Sequence, residues 1–293
     1  MKKINIEDFL YPKKLKKISK PPICLYTEGN LNLLNSNSIA IIGSRAASES
    51  GITLAKNFAK ELSQIGITIV SGLARGIDTA AHKGSYNQFG KTIAVLGGGF
   101  NHIYPPENLD LYNKILNNDG LVLSEYSPDT ETESKNFINR NRIISGLALG
   151  VLVIEAKSKS GTSKTAKIAK KQGRTVFALP HEIGNSHGVG TNRLIKNGAI
   201  LTTETEDILN ALKLVEYKEK FLNLKNSNYS KIKKEFSDPM QSIIFRFINN
   251  TPISANDLSR RTGYTINEIL STLFILEMNG YIKKVSGGYI TCT

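Results

Sequence analysis

The sequence lacks the residues from which several kinds of protein are built. It holds only two cysteines, Cys24 and Cys292, near opposite ends and without a CxxC spacing. That excludes a disulfide framework and leaves two reduced thiols as the expectation. There is no run of about 18 apolar residues, so no membrane span is expected. The start, MKKINIEDFLYPKK, has no apolar core of a secretory leader, and a cytoplasmic protein is expected. HExxH and GxxxxGKS/T do not occur, and His102, His181 and His187 lack ligand spacing. No catalytic constellation, metal or cofactor is expected from these residues.

What the chain does have is charge of one sign. Its 293 residues carry a net charge of +13. The excess is spread out: +4 over 1–36, +4 over 37–210, +3 over 211–240 and +2 over 241–293. A polyanionic partner accounts for such an excess, and so does a lysine-rich surface with no particular ligand. The length suffices for one large domain and one small one.

Residues 1–36 are basic, include Pro21-Pro22 and read as a lead-in segment that packs on the main domain. From 37 to 210, short apolar runs alternate with helical patterns. The runs are Ile39–Ile42, Ile67–Val70, Thr92–Leu96, Leu121–Leu123, Val151–Ile154 and Thr175–Leu179. Unbroken apolar strands alternating with helices mean a parallel sheet covered on both faces. Right-handed crossovers put the carboxyl ends of those strands on one rim. The small-residue loops Gly43-Ser44, Ser71-Gly72, Gly97–Gly99 and Ser124 converge there, and helix N-termini facing the rim favour anions. Residues 211–240 are lysine-rich and read as a linker, partly helical. Residues 241–293 give three helices and a hairpin, the elements of a winged helix.

A dinucleotide fingerprint after the first strand needs three glycines, but IAIIGSRAASESG has only Gly43 in place and offers Arg45 instead. A guanidinium fork fits a phosphate bidentately, so a phosphodiester is favoured over a nucleotide cofactor, with a surface ion pair as the alternative. Ser48 or Ser50 caps the next helix. In SGLARGIDTAAH, Arg75 and Asp78 are expected to pair at i, i+3 and shape the loop, and His82 to pack. SKNFINRNRIISG interleaves Lys135, Arg140 and Arg142 with Asn139, Asn141 and Phe137, and contains no acid. Cations for phosphates, amides for base edges and a ring for stacking suit a single strand. Two other readings stay open: Phe137 as core, and Arg142 as a buried strut. In SGTSKTAKIAKKQGR, a helix from about Thr162 sets Lys164, Lys167 and Lys171 on one face, either a phosphate track starting at Gly161-Thr162 or a solvated face. Asn192 and Arg193 in GVGTNRLIKNGA are placed to close the rim.

The stretches IAIIGSR, SGLARGIDTAAH, VLGGGFNHIYPPEN, LSEY, FINRNRIISGL, SGTSKTAKIAKKQGRTVFALP and GTNRLIKNGA succeed one another over about 37–205. Together they resemble the DNA-processing protein A family, also called Smf. The resemblance implies an extended Rossmann fold that binds single-stranded DNA, protects it, and helps load the RecA recombinase during natural transformation. It also implies a homodimer and no enzymatic activity. The DNA-contacting positions it implies are Arg45, Lys135, Arg140 and Arg142, with Phe137 as aromatic neighbour. Two positions depart from the family's habit: Ile138 stands where a proline is frequent, and His181 comes after Pro180 where Pro-Gly is frequent.

The C-terminal segment resembles the winged-helix domain of some members. Its third helix, TINEILSTLFILEMNG, has two glutamates, no cation and more apolar residues than one buried stripe takes. A protein contact is therefore expected of it rather than readout of a DNA groove. The alternative function is an enzyme resembling nucleotide phosphoribohydrolases of the lysine-decarboxylase-like type. Their PGGxGTxxE loop is nearest to Ser160-Gly161-Thr162-Ser163-Lys164, which brings no glutamate, and that argues against cleavage.

Overall fold

A computed structural model describes residues 1–158, 160–224, 236, 238–249 and 251–291. Cys292 and the Asn226-Ser227-Asn228 stretch of the expected linker lie outside the described residues. The chain divides into two compact units, Met1–Phe221 and Leu222–Thr293.

The first unit is built on a nine-stranded sheet. All six apolar runs form its interior strands: β3 (Ser38–Ile42), β4 (Thr68–Ser71), β5 (Thr92–Val95), β6 (Leu121–Ser124), β7 (Gly150–Val153) and β8 (Thr175–Ala178). They are parallel, in the order β6-β5-β4-β3-β7-β8. Three more strands complete the sheet. β1 (Lys2–Asn5) and β2 (Cys24–Gly29) add antiparallel at the β6 edge, and β9 (Ile200–Leu201) adds parallel at the β8 edge. Residues 1–36 pack on the main domain and supply two strands to its sheet. β1 carries one buried residue, Ile4, between lysines and Asn5, too weak a pattern to be read as a strand.

Helices cover both faces because every interior strand is apolar on both sides. On one face Ala40, Ile42, Val70, Val95 and Val153 meet α1 (Lys13–Lys16), α5 (Ser134–Leu147), α6 (Gly161–Lys171) and α7 (Val189–Lys196). On the other, Ile39, Ile41, Ile69 and Leu152 meet α2 (Glu49–Gln64), α3 (Ile77–Ser85) and α8 (Thr205–Ala211). α4 (Leu109–Asn117) extends that second face over β5 and β6. Leu212, Leu214, Tyr217 and Phe221 also pack there, so the first unit runs beyond residue 210 into the expected linker.

The second unit has the expected three helices, Pro239–Phe247, Ala255–Thr262 and Ile266–Met278, and the hairpin Ile282–Val285 with Gly288–Thr291. Its own core includes Ile244, Leu258, Ile269, Leu273, Leu276 and Ile282. Gly263 ends the second helix in the left-handed region, at φ 79°, as a turn between two closely spaced helices requires.

One buried group of the first unit sets an acid limit on stability. His82 is fully buried on α3. The Leu73 N–H donates to its Nε2 at 3.3 Å, so the ring proton sits on Nδ1, 2.8 Å from Thr92 Oγ1. Burial, and secondarily the Arg140 charge, push its pKa down to about 3. The unfolded chain then binds more protons than the folded one below about pH 6.5, and stability falls as pH drops from there towards about 3. We expect His82→Gln to lower the thermal midpoint at neutral pH but to flatten its decline between about pH 6 and pH 4. Parallel declines for the two proteins would refute this assignment.

Candidate nucleic-acid interface

The strand order reverses at β3, which has β4 on one side and β7 on the other. The chain leaves β3 towards α2 on one face and β7 towards α6 on the opposite face. The two loops diverge and leave a crevice at the carboxyl ends of the strands, where ligands of open α/β sheets bind. An open cleft of about 560 Å³ lies there. Gly43, Ser44 and Arg45 form one wall, and Lys157, Ser160, Gly161, Thr162 and Lys164 another. Thr162 Oγ1 donates to the Gly43 carbonyl at 3.0 Å and ties the two walls together.

The missing glycines of the dinucleotide fingerprint have a structural counterpart. Ser48 caps α2, and its backbone N–H donates to Glu155 Oε2 at 3.1 Å while its hydroxyl donates to Glu155 Oε1. Glu155 is 1% exposed. Gly51 lies in the first turn of α2, and any side chain there would collide with this carboxylate. A carboxylate of the protein thus occupies the N-terminus of the helix after the first parallel strand. Dinucleotide folds place the pyrophosphate there. An incoming phosphate is left with Arg45 on this wall.

The remaining wall comes from α5. Ser134, Phe137, Ile138, Asn141 and Ile144 face the cleft at helical spacing. Phe137 is half-buried and makes contact with Tyr104 at 5.6 Å between ring centroids. The Arg45 guanidinium stands 5.1 Å from the Phe137 centroid. None of Arg45, Lys157 and Lys164 has an ion-pair partner among the described residues.

Arg140 behaves differently from these three. It is 2% exposed and forms the cleft floor. Its guanidinium donates to the carbonyls of Gly72, at 2.6 Å, and Val95, at the ends of β4 and β5. Gly72 has no side chain because the guanidinium lies where one would go. Burial lowers the Arg140 pKa to about 10, against the supporting charge of Asp78. Asp78 is itself buried, which raises its pKa, while Arg140 and the N–H groups of Ala74 and Gly72 pull the other way. The expected Arg75–Asp78 pair does not form. Arg75 forks onto Glu107 instead, and Asp78 accepts from the Gly72 N–H at 3.1 Å.

Gly43, Ser44, Arg45, Phe137, Arg140, Gly161, Thr162 and Lys164 are brought together by the cleft. Five other expected residues do not line it. Ser71 is buried and donates to the Ile41 carbonyl. Gly72 lies beneath Arg140. Arg142 is a strut: it grips both oxygens of Glu125, at 2.8 and 2.6 Å, and donates to the Lys20 carbonyl. Lys135 is exposed and paired with Glu133 at 2.7 Å, and Asn139 is exposed on the same outer part of α5. Asn141, one of the two amides expected to reach bases, also lines the cleft, and the residues missed are Ser134, Lys157, Ser160 and Tyr104. Reading SKNFINRNRIISG with a 3.6-residue period from Phe137 selects Ser134, Ile138 and Asn141, whereas cation content alone does not. Asn192 closes the rim by exchanging hydrogen bonds with the His181 backbone, at 3.0 and 2.9 Å.

In the second unit, the third helix buries Ile269, Leu273 and Leu276 and exposes Ile266, Leu270, Phe274, Ile275 and Met278. Its glutamates serve the backbone: Glu268 completes a capping box with Thr265, and Glu277 accepts from the Lys284 N–H.

Fold and cleft together define a doubly wound α/β protein with a cation-walled crevice at its switch point, joined to a winged-helix unit. Residues 2–213 match the family described as DNA recombination-mediator protein A, and 234–288 match the DprA winged helix domain. The chain is 41% identical to Protein Smf of Escherichia coli over 98% of its own length and 76% of that protein. It is 44% identical to DNA processing protein DprA of Streptococcus pneumoniae over 70% of its length and 72% of that protein. The structure of the Streptococcus pneumoniae protein superposes with a TM-score of 0.68 at 42% identity, covering 71% of this chain and 73% of that one. DNA processing protein A from Helicobacter pylori, described for a single-stranded DNA binding mode, superposes with a TM-score of 0.65 at 31% identity, covering 72% and 96%. The chain belongs to the DNA processing protein A family. Among the described residues no helix is long and apolar enough to cross a membrane.

Buried and free arginines predict opposite mutational costs. Arg140→Ala strands Asp78 and two strand-end carbonyls, and we expect a loss of roughly 3–5 kcal/mol in urea unfolding. Arg45→Ala should leave the urea midpoint unchanged. Similar midpoints for the two variants would contradict the division into floor and wall.

Proposed function

We propose that the protein binds single-stranded DNA in the cleft at the β3/β7 switch point and catalyses no reaction there. The observation that carries this is the pairing of free cations with one aromatic ring. Arg45, Lys157 and Lys164 present unpaired charge around Phe137, while Glu155 closes the α2 N-terminus to a nucleotide's phosphates. Phosphates bound by side-chain cations and a base laid on a ring select for strandedness and tolerate any sequence. A duplex keeps its bases stacked and cannot reach Phe137. The single-stranded DNA binding mode described for the Helicobacter pylori relative supports this reading. In this reading Arg45 and Lys164 contact phosphates directly, and Arg140 supports the floor beneath Phe137.

The wider role comes from the family. A recombination mediator that holds single strands is placed to protect incoming DNA and to hand it to the RecA recombinase during natural transformation. We assign DNA binding to the first unit. The open edge at β9, where Ile200 and Leu201 are exposed, suits pairing of two copies as a homodimer. The apolar outer face of the third helix in the second unit suits a protein contact rather than a DNA groove.

The test is a titration of labelled single-stranded and duplex oligonucleotides at several salt concentrations. We expect a strong single-strand preference, and for Arg45→Ala weaker binding with a log–log salt slope smaller by roughly 0.7. Equal affinity for both forms, or an unaltered slope, would move the site away from the cleft. Release of free base from a nucleoside monophosphate would instead support the glycosidase alternative.

Removing residues 222–293 provides a separate check on the second unit. The remaining unit has its own cores and should keep its preference for single strands. Loss of that preference would assign DNA recognition to the winged helix.

A further inference from the structure

We infer that a single strand leaving the cleft continues over the outer faces of α6 and α7, which form a second, phosphate-binding track. The inference rests on the cleft being the primary site. From Ala156 to Ile200 the sequence carries nine lysines and arginines and one acid, Glu182. The fold sorts those cations by direction. Thr165, Ala166 and Ala169 bury one side of α6, which leaves Lys164, Lys167 and Lys171 on the outer side, all exposed. On α7, Gly190 and Thr191 are buried and Arg193 and Lys196 are exposed. Both helices pack on the same sheet face, and Lys170 Nζ donates to the carbonyl of Asn197 at 3.2 Å, joining their C-terminal ends. The outer faces therefore form one surface.

Two features separate this surface from an ordinary solvated one. Lys164 belongs both to the cleft wall and to the α6 stripe, so the track begins where the cleft ends. The second feature is scarcity of acid: Lys16, Lys114, Lys135 and Lys220 meet carboxylates, and Lys56 and Lys60, unpaired among the described residues, share α2 with Glu49 and Glu61, whereas Glu182 is the one acid between Ala156 and Ile200. Lys167, Lys171, Arg193 and Lys196 have no ion-pair partner among the described residues. Successive turns of α6 repeat these charges at a helical rise of about 5 Å, a spacing at which one strand's phosphates can be met in series. No aromatic side chain stands among these cations, so the track holds backbone and leaves bases free.

The test compares a short oligothymidylate, on the order of five nucleotides, with one of about 20, because the short one fills only the cleft. Two full-length variants are used. Lys167→Gln/Lys171→Gln/Arg193→Gln removes charge from the track. Lys56→Gln/Lys60→Gln/Lys83→Gln removes the same charge from α2 and α3 on the opposite face. We expect the track variant to bind the long strand about tenfold or more weakly, with a salt slope smaller by about 2, and the short strand as the wild type does. The control variant should match the wild type on both. Equal losses for the two variants would reduce the effect to net charge and overturn the track. So would unchanged long-strand binding with lost binding to anionic lipid vesicles. If the wild type bound the long strand but not the short one, the cleft reading would fail, and the track would stand or fall on the long strand alone.

Discussion

The cleft depends on a buried charge. The Arg140 guanidinium sits under the cleft and holds the carbonyl ends of β4 and β5, with the field of Asp78 in support. Strand ends leave backbone carbonyls without ladder partners, and a buried carbonyl without a donor is costly. One side chain from α5 satisfies two of them and fixes that helix against the sheet. Phe137 stands one turn before Arg140 on α5, with the Arg140 guanidinium 6.0 Å from its ring centroid. The ring is thereby held at the height of the cleft floor. Arg45 approaches the same ring from the β3 wall. The aromatic surface is thus held by a cation that serves the structure, and the free cation meets it from the opposite wall.

The second constraint is the carboxylate at the N-terminus of α2. A helix start after the first parallel strand is the strongest anion site that such a sheet offers, through its free N–H groups and its dipole. Glu155 fills it from the segment after β7, across the switch point, and His187 Nδ1 lies 3.2 Å from the same carboxylate. The fold keeps the crevice and removes its usual nucleotide contact. On the proposed reading, phosphate recognition passes to side chains on long stems, which can track a chain of phosphates instead of gripping one pyrophosphate.

The parallel sheet was legible because its strands are buried on both faces and read as unbroken apolar runs bounded by small residues. The edge strands were not. β1 buries only Ile4, and β9 is two residues long with both side chains exposed, so neither carries a period. Within the site, residue type revealed the neighbourhood but not the direction of each side chain. Arg140 and Arg142 are two residues apart and look equivalent in FINRNRIISG. On α5 that spacing turns one under the cleft and the other towards Glu125 and Lys20. Arg75 and Asp78 had the right spacing for a pair, but Glu107 from the next connection outcompeted the local partner. Partners distant in sequence leave no local signal.

The same sorting explains why a net charge of +13 says little by itself. Arg140, Arg142 and Arg174 are structural: each donates to backbone carbonyls that close the gaps between α5, the sheet ends and the N-terminal segment. Arginine suits this use, since its planar fork serves several acceptors and stays charged when buried. The lysines of α6 are left outside, where a strongly hydrated ammonium costs nothing to keep. Among the described residues Arg45, Lys157 and Lys164 wall the cleft without ion-pair partners, and Lys167 and Lys171 continue from Lys164 along α6. In the proposed reading a polyanion meets the ammonium groups, while the guanidinium of the floor, 2% exposed, serves the backbone. On the binding proposed above, affinity is assigned to the exposed lysines and Arg45, and the placement of Phe137 to the buried arginine one turn away on α5.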